Sequence, residues 1–283
     1  MAPSYDLHSH STASDGTLAP AELVRRAHAQ DVGVLALTDH DTLAGVPEAR
    51  AAAADLGITL VPGVEVSVQW AGQTIHVVGL GVAGGHGPLR AGLAGIQAIR
   101  GERAAEMGRR LERLGVVDPL VAAQALAGGG LVARTHFARV LVQQGRAADV
   151  RDAIGRYLRR GKPGYVAGQW ASLPDAVDWI TGAGGIAVIA HPARYKLSAT
   201  KMRTLLGQFR DLGGRAIEVV SGSHGPEDVR TAAAWAQRFG LLASQGSDYH
   251  GPENPWIDLG RLPALPRSCE PVWSVWQGAE AVA

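Results

Sequence analysis

Asp6-Leu7-His8-Ser9-His10-Ser11-Thr12-Ala13-Ser14-Asp15-Gly16 is the stretch on which the reading of this 283-residue chain turns. Tyr5 to His10 has the character of a short strand. Side chains alternate faces along a strand, so His8 and His10 point the same way. Two imidazoles about 6–7 Å apart at the backbone can close on one divalent metal, and Asp15 follows in the turn with a carboxylate. A pair of surface histidines near a terminus is the plain alternative. It loses force because further histidines and acids fall at the ends of later strands.

Working outward, Ala19 to Gln30 has helical spacing, with Leu23, Val24 and Ala27 on one face and Pro20 in the first turn. The apolar run Gly33 to Leu37 reads as a buried strand that ends in Thr38-Asp39-His40-Asp41-Thr42. A helix over Val46 to Leu56 leads to a strand from Ile58 to Pro62, then to Gly63-Val64-Glu65-Val66-Ser67. There Glu65 is a lone acid among apolar neighbours. Thr74 to Gly79 is an apolar strand interrupted by His76. After residue 166 the alternation resumes. Leu173 to Ala183 is a helix capped by Ser172, and Gly185 to Ala190 is a strand ending at His191-Pro192. Lys201 to Leu212 is a helix, and Ala216 to Val220 a strand ending in Ser221-Gly222-Ser223-His224. Glu227 to Phe239 is a helix, and Leu241 to Ser244 a strand that runs into Gly246-Ser247-Asp248-Tyr249-His250. Strands alternating with helices imply a mainly parallel sheet covered by helices, and in closed β/α barrels the chemistry collects at the carboxyl ends of the strands. The tail carries Trp273 and Trp276, which are expected to pack back on the barrel.

Between these halves the pattern changes. Pro88 to Leu114, Pro119 to Ala127, Phe137 to Gln144 and Val150 to Arg160 are helical, without a strand between them, and Gly128-Gly129-Gly130 breaks the run. Residues 98–166 read as an inserted helical lobe, leaving 1–97 and 167–283 as the barrel. The lobe brings Arg134-Thr135-His136 and a basic segment from Arg156 to Lys162. Arg134 offers a phosphate a bidentate fork and His136 a second donor. Lys162, Arg194 and His224 are further phosphate candidates. A helix start and a solvated basic face are the plain readings of these residues.

Composition limits the alternatives. Apolar residues make up 46% and charged residues 19%, as in ordinary globular proteins, and the net charge of +1 gives no overall pull toward nucleic acid or membrane. Ten histidines accompany a single cysteine, Cys269. An internal disulfide and a cysteine-rich zinc site are therefore excluded, and a reducing, cytoplasmic setting is expected. No basic-then-apolar leader and no apolar run of about 18 residues is present, so neither a signal peptide nor a membrane partner is expected. No feature points to an obligate protein partner.

The collected candidates are His8, His10, Asp15, His40, Glu65, His76, His191, Asp248 and His250. A single buried histidine is usually a satisfied core residue. Nine imidazoles and carboxylates at equivalent strand ends exceed what one ion uses, and imidazole with carboxylate suits Zn, Mn or Fe. A carboxylate such as Glu65 could bridge two ions, an arrangement that activates water and neutralises phosphoryl oxygens.

Taken together, Asp6-Leu7-His8-Ser9-His10 with Ser14-Asp15-Gly16, Thr38 to Thr42, Pro62-Gly63-Val64-Glu65, Ala190-His191-Pro192 and Gly246 to His250 resemble the successive motifs of the PHP (polymerase and histidinol phosphatase) family. The resemblance covers both halves outside the lobe. It implies a distorted (β/α)7 barrel of the PHP type with two or three divalent metal ions, manganese first and iron or zinc as alternatives. His8, His10, Glu65 and Asp248 would hold one metal, Glu65, His76 and His191 a second, and Asp15, His40 and His250 a third. Many family members carry His where Asp15 stands. Asp39 and Asp41 are expected to orient a ligating imidazole from behind.

Within the family, Arg134-Thr135-His136, Val220 to His224 and the tail from Pro266 to Trp273 most resemble the nucleoside 3′,5′-bisphosphate phosphatases, part of whose branch also trims short RNA from the 5′ end. The implied activity is release of the 3′-phosphate from a nucleotide substrate. Asp248, His224 and Arg194 would act at the reacting phosphate, and Arg134, His136, Lys162, Ser221 and His224 would hold the substrate. The alternatives are a histidinol-phosphate-type or other small phosphomonoesterase and, from another class, a non-catalytic PHP module.

Overall fold

The computed structural model describes residues 3–276. The expected extension of the barrel to residue 283, like residues 1 and 2, lies outside the described residues. The chain opens with β1 (Ser4–Asp6), α1 (Pro20–Ala29), β2 (Val32–Leu37), α2 (Val46–Leu56), β3 (Thr59–Trp70) and β4 (Gln73–Leu80). The first strand is shorter than the sequence suggests. It ends at Asp6, and Leu7 to His10 continue as bridged chain, with Ser9 paired to Tyr249. The strand expected over 58–62 is longer, because β3 runs unbroken past Glu65 to form a long hairpin with β4.

The helical insertion follows as α3 (Gly87–Glu112), α4 (Pro119–Ala127), α5 (Arg134–Gln143) and α6 (Val150–Ala153), the last continued by a π-helical turn over Ile154–Leu158. The alternation then returns with β5 (Ala171–Ser172), α7 (Leu173–Gly182), β6 (Ile186–Ile189), α8 (Ala199–Asp211), β7 (Ala216–Ser221), α9 (Pro226–Phe239) and β8 (Leu242–Gly246). Ser172 does cap α7, accepting from the Asp175 amide at 3.2 Å.

Seven strands lie in the order β1-β2-β3-β4-β6-β7-β8, with β5 added to β3. Amides of Leu7, His10 and Asp248 donate to carbonyls of Gln245, Tyr249 and His8 at 3.0, 2.9 and 2.8 Å. These bonds draw the last strand onto the first, so the sheet curls into a barrel. The approach is close enough to require glycine: a Cβ on Gly246 would lie 2.3 Å from His8 Cβ. The distortion has one source. β4 runs antiparallel to both β3 and β6, whereas the other pairs along the path are parallel.

Alternation within β2 shows how the barrel fills. Val34 and Ala36 face inward, with Leu7, Val61, Val78, Val188 and Val272. Leu35 and Leu37 face outward onto α1 and α2. The tail closes the barrel as expected: Trp273 and Trp276 pack on the inner cluster, and Trp273 stacks on Tyr5 with ring centroids 4.1 Å apart. Such a pair contributes about 0.5–1.5 kcal/mol beyond area burial.

The border of the lobe falls inside a helix. The first half of α3 buries Leu89, Leu93 and Ile96 in the barrel's outer core, and the second half buries Ala104, Met107 and Leu111 in a separate core with Phe137 and Leu141. Residue 98 lies between the two, so the chain enters the lobe along a continuous barrel helix and returns to β5 through the irregular segment 159–170. It docks again at Gly130, where a Cβ would lie 2.1 Å from the Thr12 carbonyl oxygen. Beside it, the Leu131 amide donates to Ala13 O at 3.2 Å.

Candidate active site

All nine candidate ligands meet at the carboxyl end of the barrel. Seven follow the ends of strands that point there: His8, His10 and Asp15 after β1, His40 after β2, His191 after β6, and Asp248 and His250 after β8; Glu65 lies within the long β3. His76 arrives differently: it lies inside β4, opposite Ser67 of β3. Because β4 runs the other way, its beginning sits at the face where its neighbours finish. Three non-glycine residues on this rim adopt positive φ, namely Asp41 (52°), His191 (25°) and Asp248 (54°). Such conformations cost of order 1–3 kcal/mol each and persist where the surroundings fix them. Here the His191 amide donates to Glu218 Oε2 at 2.6 Å and the Asp248 amide to His8 O.

Glu65 is the centre of the cluster and is fully buried. Its Oε1 stands 2.9 Å from His76 Nδ1, 2.9 Å from His191 Nε2 and 3.4 Å from His8 Nε2. Its Oε2 stands 2.8 Å from His40 Nδ1 and 3.4 Å from His10 Nε2. His8 Nε2 and His10 Nε2 are 3.1 Å apart, and each is within 3.5 Å of Asp248 Oδ1. On the far side, Asp15 Oδ1 faces His250 Nε2 at 3.3 Å and His40 Nε2 at 3.8 Å. Three groups of donors result: His8, His10, Glu65 and Asp248; His40, Glu65 and His76; and His10, Asp15, His40 and His250. His40 and His10 are thus each shared between groups, where the family pattern gave each to one. His191 meets the cluster at Glu65 Oε1.

These distances fit divalent metal ions. Ligand atoms about 2.1 Å from one ion stand about 3.0–3.4 Å from each other. Hydrogen bonding accounts for only part of the arrangement, such as the contacts of His76 and His191 with Glu65 Oε1. Glu65 Oε2 and His40 Nδ1 are buried and 2.8 Å apart, yet make no hydrogen bond, and Asp15 Oδ1 is also buried without one. Buried polar atoms left in this way are rare and call for an explanation; a cation between them supplies one. Charge points the same way. Burial opposes ionisation of Asp15, Glu65 and Asp248, but neighbouring imidazoles, and Arg194 beside Asp248, hold all three well below the usual carboxylate range. Burial likewise opposes charge on His250, yet Asp15 and Asp248 lift it to about 9. His10, buried beside His250, is pushed down to about 3. In the protein alone, imidazolium protons balance the carboxylates, and a bound metal takes over that role as the protons leave.

Several supports were not legible as such in the sequence. Glu218 on β7 is buried and accepts from His8 Nδ1 at 2.5 Å, a contact that would turn the Nε2 lone pair of the neutral ring toward the cluster. Its signal was available: a lone acid in an apolar strand, as at Glu65. Asp39 and Asp41 bear on backbone and hydroxyl groups, not on the imidazoles. Asp39 accepts from Ser11 and Ser14 and so shapes the turn carrying Asp15. Asp41 accepts from the Ser67 amide at 2.6 Å and from the buried Arg100 at 2.7 Å.

A cleft of about 590 Å3 lies between this cluster and the lobe. His40, His76 and His191 floor it, and Arg100, Arg103, Arg134, Arg160 and Arg194 lie on its walls with Asp15 as the single acid. Arg134 faces it from the first turn of α5. Thr135 donates to Asp15 Oδ2 at 2.8 Å, tying that helix start to the site. Arg194 pairs with Asp248 Oδ2 at 2.6 Å and donates to Ser223 at 3.1 Å. Other sequence candidates stand outside the lining. His136 is buried, with Nδ1 accepting from the Ala133 amide at 2.9 Å as part of the cap of α5. His224 Nδ1 donates to Val219 O, Ser221 is buried beside Ser223, and Lys162 belongs to the turn after the π-helical segment.

The PHP domain model matches residues 6–115, the first half of the barrel and the start of the lobe. A 3′,5′-nucleoside bisphosphate phosphatase from Chromobacterium violaceum is 49% identical over 95% of this chain and 94% of its own length. The chain belongs to the PHP family. A 5′-3′ exoribonuclease from Haemophilus influenzae is 46% identical over 96% of this PHP chain and 99% of its own. Among solved structures, an amidohydrolase from Chromobacterium violaceum, with bound sulfate and no metal, superposes with a TM-score of 0.93 at 48% identity, covering 96% of this chain and 95% of that one. The fold of that structure thus matches this PHP chain over 96% of its length.

Proposed function

We propose that this protein is a metal-dependent phosphohydrolase that releases the 3′-phosphate of nucleoside 3′,5′-bisphosphates. One observation carries the reading: buried donors converge at one end of a cleft whose remaining wall is arginine-rich and nearly free of acids. The activity named for the Chromobacterium relative agrees with it.

In this reading His8, His10, Glu65 and Asp248 hold one ion, Glu65, His76 and His191 a second, and Asp15, His40 and His250 a third, with manganese the first expectation. When bound, such ions neutralise phosphoryl oxygens and lower the pKa of water toward 7. The chain's own residues do the rest. Glu218 fixes the tautomer and orientation of His8. Arg194, anchored on Asp248, presents its remaining N–H groups to an oxygen of the reacting phosphate. Arg134 and Arg103 hold the 5′-phosphate away from the metals; Arg103 is pushed down to about 10, by burial and then by Arg134 and Arg100. A bisphosphate thus spans the cleft with one phosphate in each place, and binding of the remote one positions the reacting one.

The test is phosphate release from the Mn2+-supplemented enzyme with adenosine 3′,5′-bisphosphate, 5′-AMP, 3′-AMP and histidinol phosphate. The bisphosphate should be preferred. Preference for histidinol phosphate, or turnover of none of them, overturns the reading.

A further inference from the structure

Asp15 is held differently from the other candidate ligands. His8 leans on Glu218, the amides of His191 and Asp248 are fixed, and Arg194 anchors the Asp248 carboxylate. All of these supports belong to the barrel. The Asp15 carboxylate is held from the lobe: Thr135 Oγ1, 120 residues further along the chain, donates to its Oδ2 at 2.8 Å. Arg139 follows one helical turn later, on the same face of α5. It donates from Nη1 and Nη2 to the Asp15 carbonyl at 3.2 Å each and pairs with Glu253 beyond β8. One lobe helix thus grips both the backbone and the side chain of one ligand.

Local structure frees Thr135 for this contact. A threonine at a helix start commonly caps it. Here the cap is made without it, because His136 Nδ1 accepts from the Ala133 amide. Among the described residues Thr135 Oγ1 makes no other hydrogen bond. An ionised carboxylate only accepts, so the hydroxyl proton points to Oδ2. That oxygen is then occupied. The other, Oδ1, is left buried without a hydrogen-bond partner, 3.3 Å from His250 Nε2 and 3.8 Å from His40 Nε2. A competitor stands close by. Asp15 is the single acid lining a cleft with five arginines, and one of them, Arg134, is the neighbour of Thr135. Without the hydroxyl, the carboxylate is free to rotate toward these cations and away from the imidazoles.

We infer that Thr135 is a positioning residue for the ion held by Asp15, His40 and His250, and that the lobe sets the affinity of this one site through it. The inference rests on the three-ion reading above and deepens it. Thr135 stands on a lobe helix but works with the rim: Arg134 turns to the cleft, and Thr135 to the ligand.

The test counts ions. Metal-stripped protein is dialysed to equilibrium against graded Mn2+, and elemental analysis of the bound metal gives the number of ions and their affinities. Thr135→Val keeps the shape and removes the donor; Thr135→Ser keeps the donor. The valine variant should weaken one of three ions by about 10- to 100-fold, as loss of an outer hydrogen bond to a ligand does, and leave the other two as in the wild type. Serine should restore the affinity. Asp15→Asn should weaken the same ion, and adding Thr135→Val to it should cost nothing more, since the hydroxyl acts only through Asp15. Three ions bound alike by wild type and valine variant overturn the inference. So does a uniform weakening of all three, or a serine variant as weak as the valine one. In each of these cases the three-ion reading stands. A wild type that binds at most two ions overturns the third site itself, and this inference with it.

Discussion

The rim of the barrel and the wall of the lobe face each other across one cleft and are built on opposite principles. The rim is buried, rich in imidazole and carboxylate, and fixed by backbone: amides of His191 and Asp248 are held, and φ values are strained where ligands must turn inward. Apart from the buried Arg100, the arginines that the lobe presents to the cleft are half-buried or exposed and carry few hydrogen bonds. Buried groups locked by neighbours suit chemistry that needs fixed geometry. Exposed guanidinium groups on a helical extension suit selection among phosphorylated ligands. The difference predicts that damage to the rim abolishes turnover for every substrate, whereas damage to the lobe changes which substrate is preferred.

The largest effect should come from the rim. Asp248→Asn removes a carboxylate that faces His8 and His10 and anchors Arg194. If it is a ligand, the loss of several kcal/mol of charge stabilisation lowers kcat by more than about a thousandfold on all substrates. Metal content of the purified variant, read beside its circular dichroism, checks the cause: near-normal activity with full metal would remove Asp248 from the site. Glu218→Gln tests the layer behind. It keeps the shape but weakens the hold on His8 Nδ1, and should cost about 10- to 100-fold in metal affinity or activity, again without regard to substrate. Metal retention against a graded chelator measures it.

On the lobe side the smallest effect is expected at His136. Its Nδ1 is spent on the Ala133 amide, so His136→Ala should lower stability by about 1–3 kcal/mol and leave the ratio of kcat/KM for bisphosphate over 3′-monophosphate unchanged. A thermal melt with the two rates decides it. A collapse of that ratio would return His136 to the cleft.

The sequence made the rim legible because its signals are local. His8-Ser9-His10 and Asp248-Tyr249-His250 each put two donors just past one strand end and Asp39-His40-Asp41 puts one, and the alternation of strands and helices says which end. Long-range contacts were not legible. Glu218 matters only because β7 brings it under His8, 210 residues away in sequence. His76 reads as a strand-end ligand, but reaches the site because β4 is antiparallel, which an apolar run does not disclose. His136 looks like a phosphate donor beside Arg134; one helical turn directs Arg134 to the cleft and His136 into the cap. The basic segment from Arg156 to Lys162 likewise separates once folded, Arg160 into the cleft lining and Lys162 outside it.

The central claim, that two phosphates of one substrate occupy the rim and the lobe at once, is tested most directly by Arg134→Ala with two substrates. A charge-assisted hydrogen bond is worth about 1.5–3 kcal/mol, or about 10- to 100-fold. The account predicts that kcat/KM for adenosine 3′,5′-bisphosphate falls by at least that factor. 3′-AMP, which has no second phosphate for the lobe, should fall far less. The two substrates and two enzymes form a double-mutant cycle between protein and ligand. An equal fall for both substrates would place Arg134 at the reacting phosphate or in the fold, and would contradict the division between rim and lobe.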